Sequence, residues 1–393
     1  MEIRLRPYQK EASDAAFEFM TRGDLHGGGL LIVPTGGGKS WIIADIADRI
    51  QYPLLIFCPN KEILQQNHEK MEKIRPGAST LYSASVGKKE ISKITFATIG
   101  SVKNHASDFD VFKYIIIDEA HGVNAQGGMY EEFIHRRLDR KVIGLTATPY
   151  RLKTYQNGAI LKFLTRTRPR IFNHVLYHCQ ITDLLSKGFL AELRYFDLTS
   201  LDLSNVRSNS TGADYDEESL LKEYERSKFY HKMLDITLRV LNPKDNIPRK
   251  GILVFTRFTK EADMLVRQLS SRNIKASIVT GTTPNKEREQ IINRFRSGEI
   301  KVVANVGVLT TGFDYPELDT VILARPTKSL ALYYQMVGRI IRPFPQKNGW
   351  VIDLGGSFAR FGKVSDLKIG VEKTGTERWA VFSRGRQLTN VIY

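Results

Sequence analysis

Short apolar runs alternate with stretches of helical period along the first half of the chain. Leu30-Leu31-Ile32-Val33, Leu54-Leu55-Ile56-Phe57, Ile94-Thr95-Phe96-Ala97, Tyr114-Ile115-Ile116-Ile117 and Val142-Ile143-Gly144-Leu145 read as buried strands. Ile42, Ile43, Ile46 and Ile50 mark a helix after the first strand, and a second helix spans Lys61 to Ile74. Such alternation predicts a parallel sheet with helices on both faces. The pattern stops near Ser200. Ser204 to Leu220 is polar and acidic, as expected of a linker or mobile insertion, and a helical stretch follows from Glu217 to Leu241. Asn242-Pro243-Lys244-Asp245-Asn246-Ile247-Pro248 breaks the chain. Alternation then resumes, with strands predicted at Ile252–Phe255, Ala276–Val279, Lys301–Val306, Thr320–Leu323 and Trp350–Leu354. Helices are predicted between them at Lys260–Ser271, Pro284–Arg296 and Ser329–Ile341.

The fold class is therefore α/β, with two parallel sheets in tandem. Residues 1–198 and 249–360 form the two domains, 199–248 connect them, and 361–393 are a basic tail. A length of 393 residues fits this division at about 150 residues per domain. Only two cysteines occur, Cys58 and Cys179, which excludes a disulfide-rich scaffold and a four-cysteine zinc site. No apolar run approaches the roughly 20 residues that span a bilayer, and the N-terminus lacks a signal-peptide core. A cytoplasmic protein with no membrane partner is expected.

Charge sharpens the picture. Lys and Arg number 58 against 42 Asp and Glu, a net of +16. From His135 to Arg170 there are ten basic residues and one acid, and from Arg360 to Tyr393 seven against three. Asp197 to Arg226 reverses the balance, with eight acids and three bases. Concentrated positive charge points to a polyanion partner, with plain solubility as the competing reading.

Two motifs carry chemistry. Pro34-Thr35-Gly36-Gly37-Gly38-Lys39-Ser40 lies between a buried strand and a helix. In that setting glycines turn backbone N–H groups toward phosphates, and a helix N-terminus adds partial positive charge. Lys39 can reach the β- and γ-phosphates and the Ser40 hydroxyl can bind Mg²⁺. Val33 stands where the strict motif has its first glycine, so the relaxed form is the one satisfied. Asp118-Glu119-Ala120-His121 follows a strand directly. Carboxylates at the carboxyl end of a parallel strand face the ligand crevice. Asp118 is placed to hold Mg²⁺ and Glu119 to polarise an attacking water. ATP and Mg²⁺ are the expected cofactors.

With these motifs in order, the sequence resembles the helicases and translocases of superfamily two over about Leu5 to Asp353. The resemblance implies two tandem RecA-like P-loop domains: an ATP-binding domain at 1–198 and a helicase domain at 249–360. Leu5-Arg6-Pro7-Tyr8-Gln9 looks like the adenine-reading motif, so Arg6 and Gln9 are implied in nucleotide binding with Thr35 to Ser40. Asp118 to His121 reads as the DEAH box, and Thr146-Ala147-Thr148-Pro149 as the motif coupling hydrolysis to domain motion. Val308 to Asp314 and Gln335 to Pro343 resemble later motifs, with Asp314 near the ribose. The wording is similar to the RadD-type DNA-repair helicases, without the cysteine-rich zinc segment that relatives can carry. No structural zinc is expected.

Phosphoryl transfer needs a guanidinium on the γ-phosphate. Arg339 and Arg342 stand three apart on the predicted helix, with Gln335 one turn earlier, so all three are expected on one face. By resemblance Arg342 is the arginine-finger candidate, Arg339 also lies near the γ-phosphate, and Asn60, Thr98, Arg257, Thr280 and Thr310 touch nucleic acid. Short polar groups at strand ends also cap helices, an even alternative for each. The reading is an ATP-dependent helicase or translocase on DNA, in repair, recombination or replication and with protein partners from those processes. An RNA helicase and an accessory nucleic-acid-binding ATPase are the alternatives.

Overall fold

Strand Gly28–Ile32 (β1) is buried along its whole length, and two of its residues explain how it is packed. A Cβ at Gly28 would meet the Ile171 carbonyl oxygen at 2.2 Å, and one at Gly29 the Leu176 side chain at 2.4 Å. Only glycine lets the neighbouring segments approach so closely. In the computed structural model, which describes residues 4–391 apart from 25–26, 125, 156–157, 244–246, 311–314 and 373–377, β1 lies within an eight-stranded sheet. The other strands are Leu54–Phe57 (β2), Thr80–Ser83 (β3), Lys88–Lys89 (β4), Ile94–Ala97 (β5), Tyr114–Asp118 (β6), Lys141–Thr146 (β7) and His174–His178 (β8). Their order is β8-β1-β7-β6-β2-β5-β3-β4. All pairs are parallel except β3 with β4. Strands β1, β2 and β5 are fully buried, so they are apolar on both faces rather than alternating.

The chain divides into two compact units. The first comprises Met1–Arg151, Leu161–Leu184 and Lys368–Val381, and the second Leu152–Ile160, Leu185–Leu367 and Phe382–Tyr393. The second holds a six-stranded parallel sheet of Leu193–Asp197 (β9), Ile252–Thr256 (β10), Ala276–Val279 (β11), Val302–Asn305 (β12), Thr320–Ala324 (β13) and Gly349–Asp353 (β14). Its order is β9-β14-β13-β10-β12-β11.

Three features depart from the sequence reading. The acidic segment expected as a mobile linker is built into the second core: Leu201, Val206, Tyr215, Leu220, Tyr224, Phe229, Met233 and Val240 are buried there. The helical stretch is two helices, Glu217–Arg226 and Phe229–Leu241, broken where Lys228 takes a left-handed φ of 52°. The helix expected to carry Arg339 and Arg342 is only Leu330–Val337, with Gly338 as its C-cap. Ile340 and Ile341 are fully buried, and Arg342 precedes Pro343, which disfavours helical backbone. Arg339 and Arg342 therefore lie beyond the helix, and the shared-face argument for them with Gln335 fails.

The second unit also buries an acid. Glu261, near the start of helix Thr259–Ser270, has no exposed surface. Its Oε1 accepts from the backbone N–H groups of Arg257 and Phe258, while Oε2 has no hydrogen-bond partner among the described residues. Burial pushes its carboxyl up to about 8, against the opposing pull of those N–H groups, Arg325 and Arg257. The folded value lies above the ordinary 4.5, so the fold holds a proton that the unfolded chain releases. Stability from this group is complete below about pH 4.5 and lost as pH rises through about 8. Thermal melting of the full chain should therefore show a midpoint that falls over that window. Glu261→Gln, which keeps the accepting oxygen and cannot ionise, should flatten the fall; an equal pH dependence in both proteins would show that another group titrates.

Candidate active site

The phosphate loop follows β1. Its glycines are required one by one. Gly36 and Gly38 have φ of 80° and 78°, the left-handed region where side chains are strained. Gly37 has an ordinary φ, but a Cβ there would meet Val33 Cγ1 at 2.7 Å and the Pro34 carbonyl oxygen at 2.9 Å. Gly38 is the N-cap of helix Lys39–Arg49, which places Lys39 and Ser40 in its first turn. Thr35 and Gly36 complete the turn.

Helix Pro7–Thr21 grips this loop from outside. Pro7 opens the helix, where its missing N–H costs nothing. The Tyr8 hydroxyl donates to the Gly37 carbonyl at 2.8 Å, and Gln9 Nε2 donates to the same oxygen at 3.0 Å. Gln9 Oε1 accepts from the Arg6 backbone N–H at 2.9 Å. Gln9, expected to read adenine, is thus 6% exposed and ties helix to loop in this structure.

Lys39 Nζ lies 3.1 Å from Glu119 Oε1, an ion pair with side chains 11% and 22% exposed. Glu119 Oε2 lies 3.3 Å from His121 Nδ1, and that ring nitrogen is 3.1 Å from Thr146 Oγ1. Thr146 Oγ1 also accepts from the Thr148 N–H at 3.0 Å. A continuous polar path therefore runs from the phosphate loop through the carboxyl end of β6 to that of β7. Burial pushes the Glu119 carboxyl up, but the Lys39 ammonium and the His121 ring outweigh it and hold the group below the ordinary carboxylate range. Glu119 also has a φ of 52°, a strained value for a side-chain-bearing residue and one that recurs at working sites.

Asp118 sits deeper, 4% exposed. Burial and the Glu119 charge push its carboxyl up to about 6. Oδ2 accepts from Asn67 Nδ2 at 2.8 Å and Oδ1 from the Glu119 N–H at 2.9 Å. A carboxylate has about four lone-pair positions, so both oxygens retain accepting capacity. Asp118 and the Ser40 hydroxyl each offer hard oxygen, the donor chemistry that Mg²⁺ takes. Among the described residues no group of three or more His, Cys, Asp or Glu is placed to hold a metal.

Asn67 and His121's link to Thr146 were not among the residues singled out by sequence. The signal for Asn67 was present: it is a polar residue in the buried stripe Ile63, Leu64, Asn67, Met71 of helix Lys61–Ile74. A buried amide in an apolar stripe needs a partner.

The residues expected on a nucleic-acid track stand at the carboxyl ends of strands. Asn60 follows β2 and Thr98 follows β5, on the same sheet edge as the phosphate loop and Asp118. Asn60 caps its helix by accepting from the Ile63 N–H at 2.9 Å. Thr98 Oγ1 meets Ser101 Oγ at 2.9 Å and Ser83 Oγ at 3.2 Å. In the second unit Arg257, Thr280 and Thr310 follow β10, β11 and β12. Arg257 is paired with Asp214 at 3.0 Å and Glu217 at 3.3 Å, both from the acidic segment. Thr280 Oγ1 lies 2.9 Å from Thr282 Oγ1. Arg339 Nε donates to the Gln335 carbonyl at 3.4 Å, and the Arg342 carbonyl accepts from Lys347 at 2.8 Å. Asp314 lies outside the described residues.

Comparison with known proteins agrees with this architecture. The family model of the type III restriction enzyme res subunit matches residues 2–151, and that of the helicase conserved C-terminal domain matches 232–343. IRC3 of Saccharomyces cerevisiae, provisionally named an ATP-dependent helicase, is 27% identical over 359 residues, 86% of this chain and 49% of that protein. The DNA 3'-5' translocase XPB2 of Sulfurisphaera tokodaii is 24% identical, covering 87% of this chain and 79% of its own. The chain thus spans about half the length of the yeast relative. Among solved structures, the ATP-dependent Type ISP restriction-modification enzyme LlaBIII bound to DNA superposes with a TM-score of 0.67 at 19% identity, over 90% of this chain and 28% of that one.

The loop geometry makes a direct test. Gly37→Ala should weaken binding of a fluorescent ATP analogue by about tenfold or more, the equivalent of roughly 1.4 kcal/mol. The added methyl must displace either Val33 or the loop carbonyl. Wild-type affinity in this variant would show that the loop relaxes freely.

Proposed function

We propose that this chain, whose halves match the res-subunit and helicase C-terminal family models, works as a superfamily-two helicase in which ATP hydrolysis at the phosphate loop drives movement along a nucleic-acid strand, and that the strand is DNA. The observation that carries the reading is the polar path from Lys39 through Glu119 and His121 to Thr146. It joins a phosphate-binding lysine to the Thr-Ala-Thr-Pro segment at the next strand's end.

Lys39 is exchangeable between two anions. An arriving ATP offers its β- and γ-phosphates in place of Glu119, and the released carboxylate orients a water for in-line attack. His121 and Thr146 respond to the state of Glu119, which links the γ-phosphate to β7. Ser40 and Asp118 would hold Mg²⁺, which would supply charge neutralisation at the phosphate oxygens. Tyr8 and Gln9, bonded to Gly37, couple helix Pro7–Thr21 to the loop, and Arg6 and Gln9 take part in recognising the base. Arg342, with Arg339 and Gln335, supplies the second unit's contribution to turnover, and Asp314 meets the ribose.

Asn60, Thr98, Arg257, Thr280 and Thr310 contact the sugar-phosphate backbone, where short polar groups suit binding without reading sequence. The name of the translocase XPB2 supports DNA over RNA. With that substrate, the role we assign is in repair, recombination or replication. The decisive experiment is ATP turnover measured with single-stranded DNA, forked DNA, duplex DNA and RNA in parallel. Stimulation by DNA is expected; stimulation by RNA alone would make this an RNA helicase.

Two substitutions separate the roles. Lys39→Ala should abolish turnover while nucleic-acid binding without nucleotide persists. Turnover within a few-fold of wild type would remove Lys39 from phosphate binding. Arg342→Ala should cut turnover by at least about tenfold, a small part of the roughly 10³–10⁵ an arginine finger contributes. ATP affinity should change less than rate, because the guanidinium acts on charge developing in the transition state. Arg339→Ala is measured beside it, and a full rate in both would assign the second unit to binding only.

A further inference from the structure

We propose that a cleft of the first unit, lined by Arg166, Arg168, Arg170 and Arg378 with His174 and Trp379, binds the phosphate backbone of a single nucleic-acid strand at a place separate from the sheet edge used by the phosphate loop. The proposal rests on the nucleic-acid reading above and adds a site to it.

The cleft has a volume of about 330 Å³ and includes four guanidinium groups. One acid is bonded into the cluster: Glu372 pairs with Arg166 at 2.9 Å. Arg168, Arg170 and Arg378 form no ion pair among the described residues, and all three are exposed. Three unneutralised guanidiniums around one hollow repel one another and create a strong local positive potential. Guanidinium is the side-chain group whose fork matches phosphate oxygens two at a time.

The cleft is constructed from distant parts of the sequence. The segment Thr165–Val175 supplies one wall and Arg378–Trp379 the other. Contacts between the segments that continue the two walls do not use Arg168, Arg170 or Arg378. Gln180 Nε2 donates to the Ile369 carbonyl at 2.7 Å, and Gln180 Oε1 accepts from the Ile369 N–H at 3.0 Å. The Trp379 ring meets the His178 ring edge-on at 4.9 Å. A solvated basic loop would need no such clamp.

Position separates this site from ATP. Strand β8 runs parallel to β1, with His174 opposite Gly29 and His178 opposite Ile32. His174 is thus at the amino end of β8, whereas the phosphate loop leaves the carboxyl end of β1. An extended strand rises about 3.3 Å per residue, so the two lie on opposite edges of the sheet. Trp379 beside the arginines gives a stacking face next to phosphate contacts, the combination that suits a single strand.

The test is the Arg168→Gln, Arg170→Gln, Arg378→Gln triple variant of the full chain. Anisotropy of a labelled single-stranded oligonucleotide is read between about 50 and 200 mM salt. At about 0.7 counterions per phosphate contact, the log–log salt slope should become shallower by about 2, so that the affinity lost over this range shrinks roughly 20-fold. ATP turnover without nucleic acid should not change. A control with the same charge change on exposed residues of the second unit, Arg272→Gln, Lys275→Gln and Lys301→Gln, should keep the wild-type slope. A triple variant with the wild-type slope overturns the cleft and leaves the nucleic-acid reading standing. Equal flattening by the control also overturns it, since net charge alone would then explain the effect. No oligonucleotide binding by the wild type overturns both readings. Inorganic tripolyphosphate bound by the wild type and lost in the triple variant, with the oligonucleotide slope unchanged, would make the cleft a small-anion site and overturn the proposal. If the triple variant does not fold, Arg378→Gln alone is expected to lower the slope by about 0.7.

Discussion

The parallel pairing of β1 between β7 and β8 is the constraint on which the site depends. Parallel strands place all their carboxyl ends on one edge, and crossover connections return the chain to the other. The phosphate loop, Asp118, Thr146, Asn60 and Thr98 are therefore neighbours of one edge although they span more than a hundred residues. Gly28 and Gly29 make the pairing sterically feasible, since side chains there would collide with Ile171 and Leu176. Two glycines remote from any chemistry thus hold the chemistry in register.

At that edge the governing interaction is the Lys39–Glu119 ion pair. Its two members are each suited to something else: a phosphate for Lys39, a water for Glu119. Low exposure strengthens their attraction, and removing either would leave the other half-buried and uncompensated. In the mechanism proposed above, ATP phosphates would compete with the Glu119 carboxylate for Lys39, and His121 and Thr146, both in contact with that carboxylate's chain of polar groups, would register the change.

The sequence and the structure agree where local pattern and tertiary demand coincide. Buried strands such as Leu54–Phe57 and Tyr114–Asp118 are legible because both faces are apolar. The phosphate loop is legible because φ and Cβ clashes leave glycine as the residue that fits. What escaped depends on contacts between distant residues. His174–His178 is short and partly exposed, with a histidine at each end, and becomes a strand by pairing with β1. The basic tail yields strands Leu367–Val371 and Trp379–Ser383 for the same reason. The helix before Arg339 was drawn too long, because buried Ile340 and Ile341 continue an apolar pattern while the backbone has already left the helix. Gln9 and Asn67 show the same limit for side chains: the chemical type was visible, the partner was not.

Charge counting along the chain has a comparable limit, and the structure converts it into a map. Within the basic stretch, Arg136 pairs with Asp110 and Arg137 with Asp139, while Arg140 is buried against Asp110 and the Phe133 ring. Those three of the stretch's ten positive charges are largely neutralised inside the first unit. The acidic segment spends another cation, since Asp214 and Glu217 neutralise Arg257 at the end of β10. A phosphate reaching Arg257 must compete with two carboxylates, so that position binds more weakly than the resemblance implies. Arg168, Arg170 and Arg378 lie outside every ion pair among the described residues. The net of +16 is therefore spread unevenly, and the acids decide where a polyanion finds it.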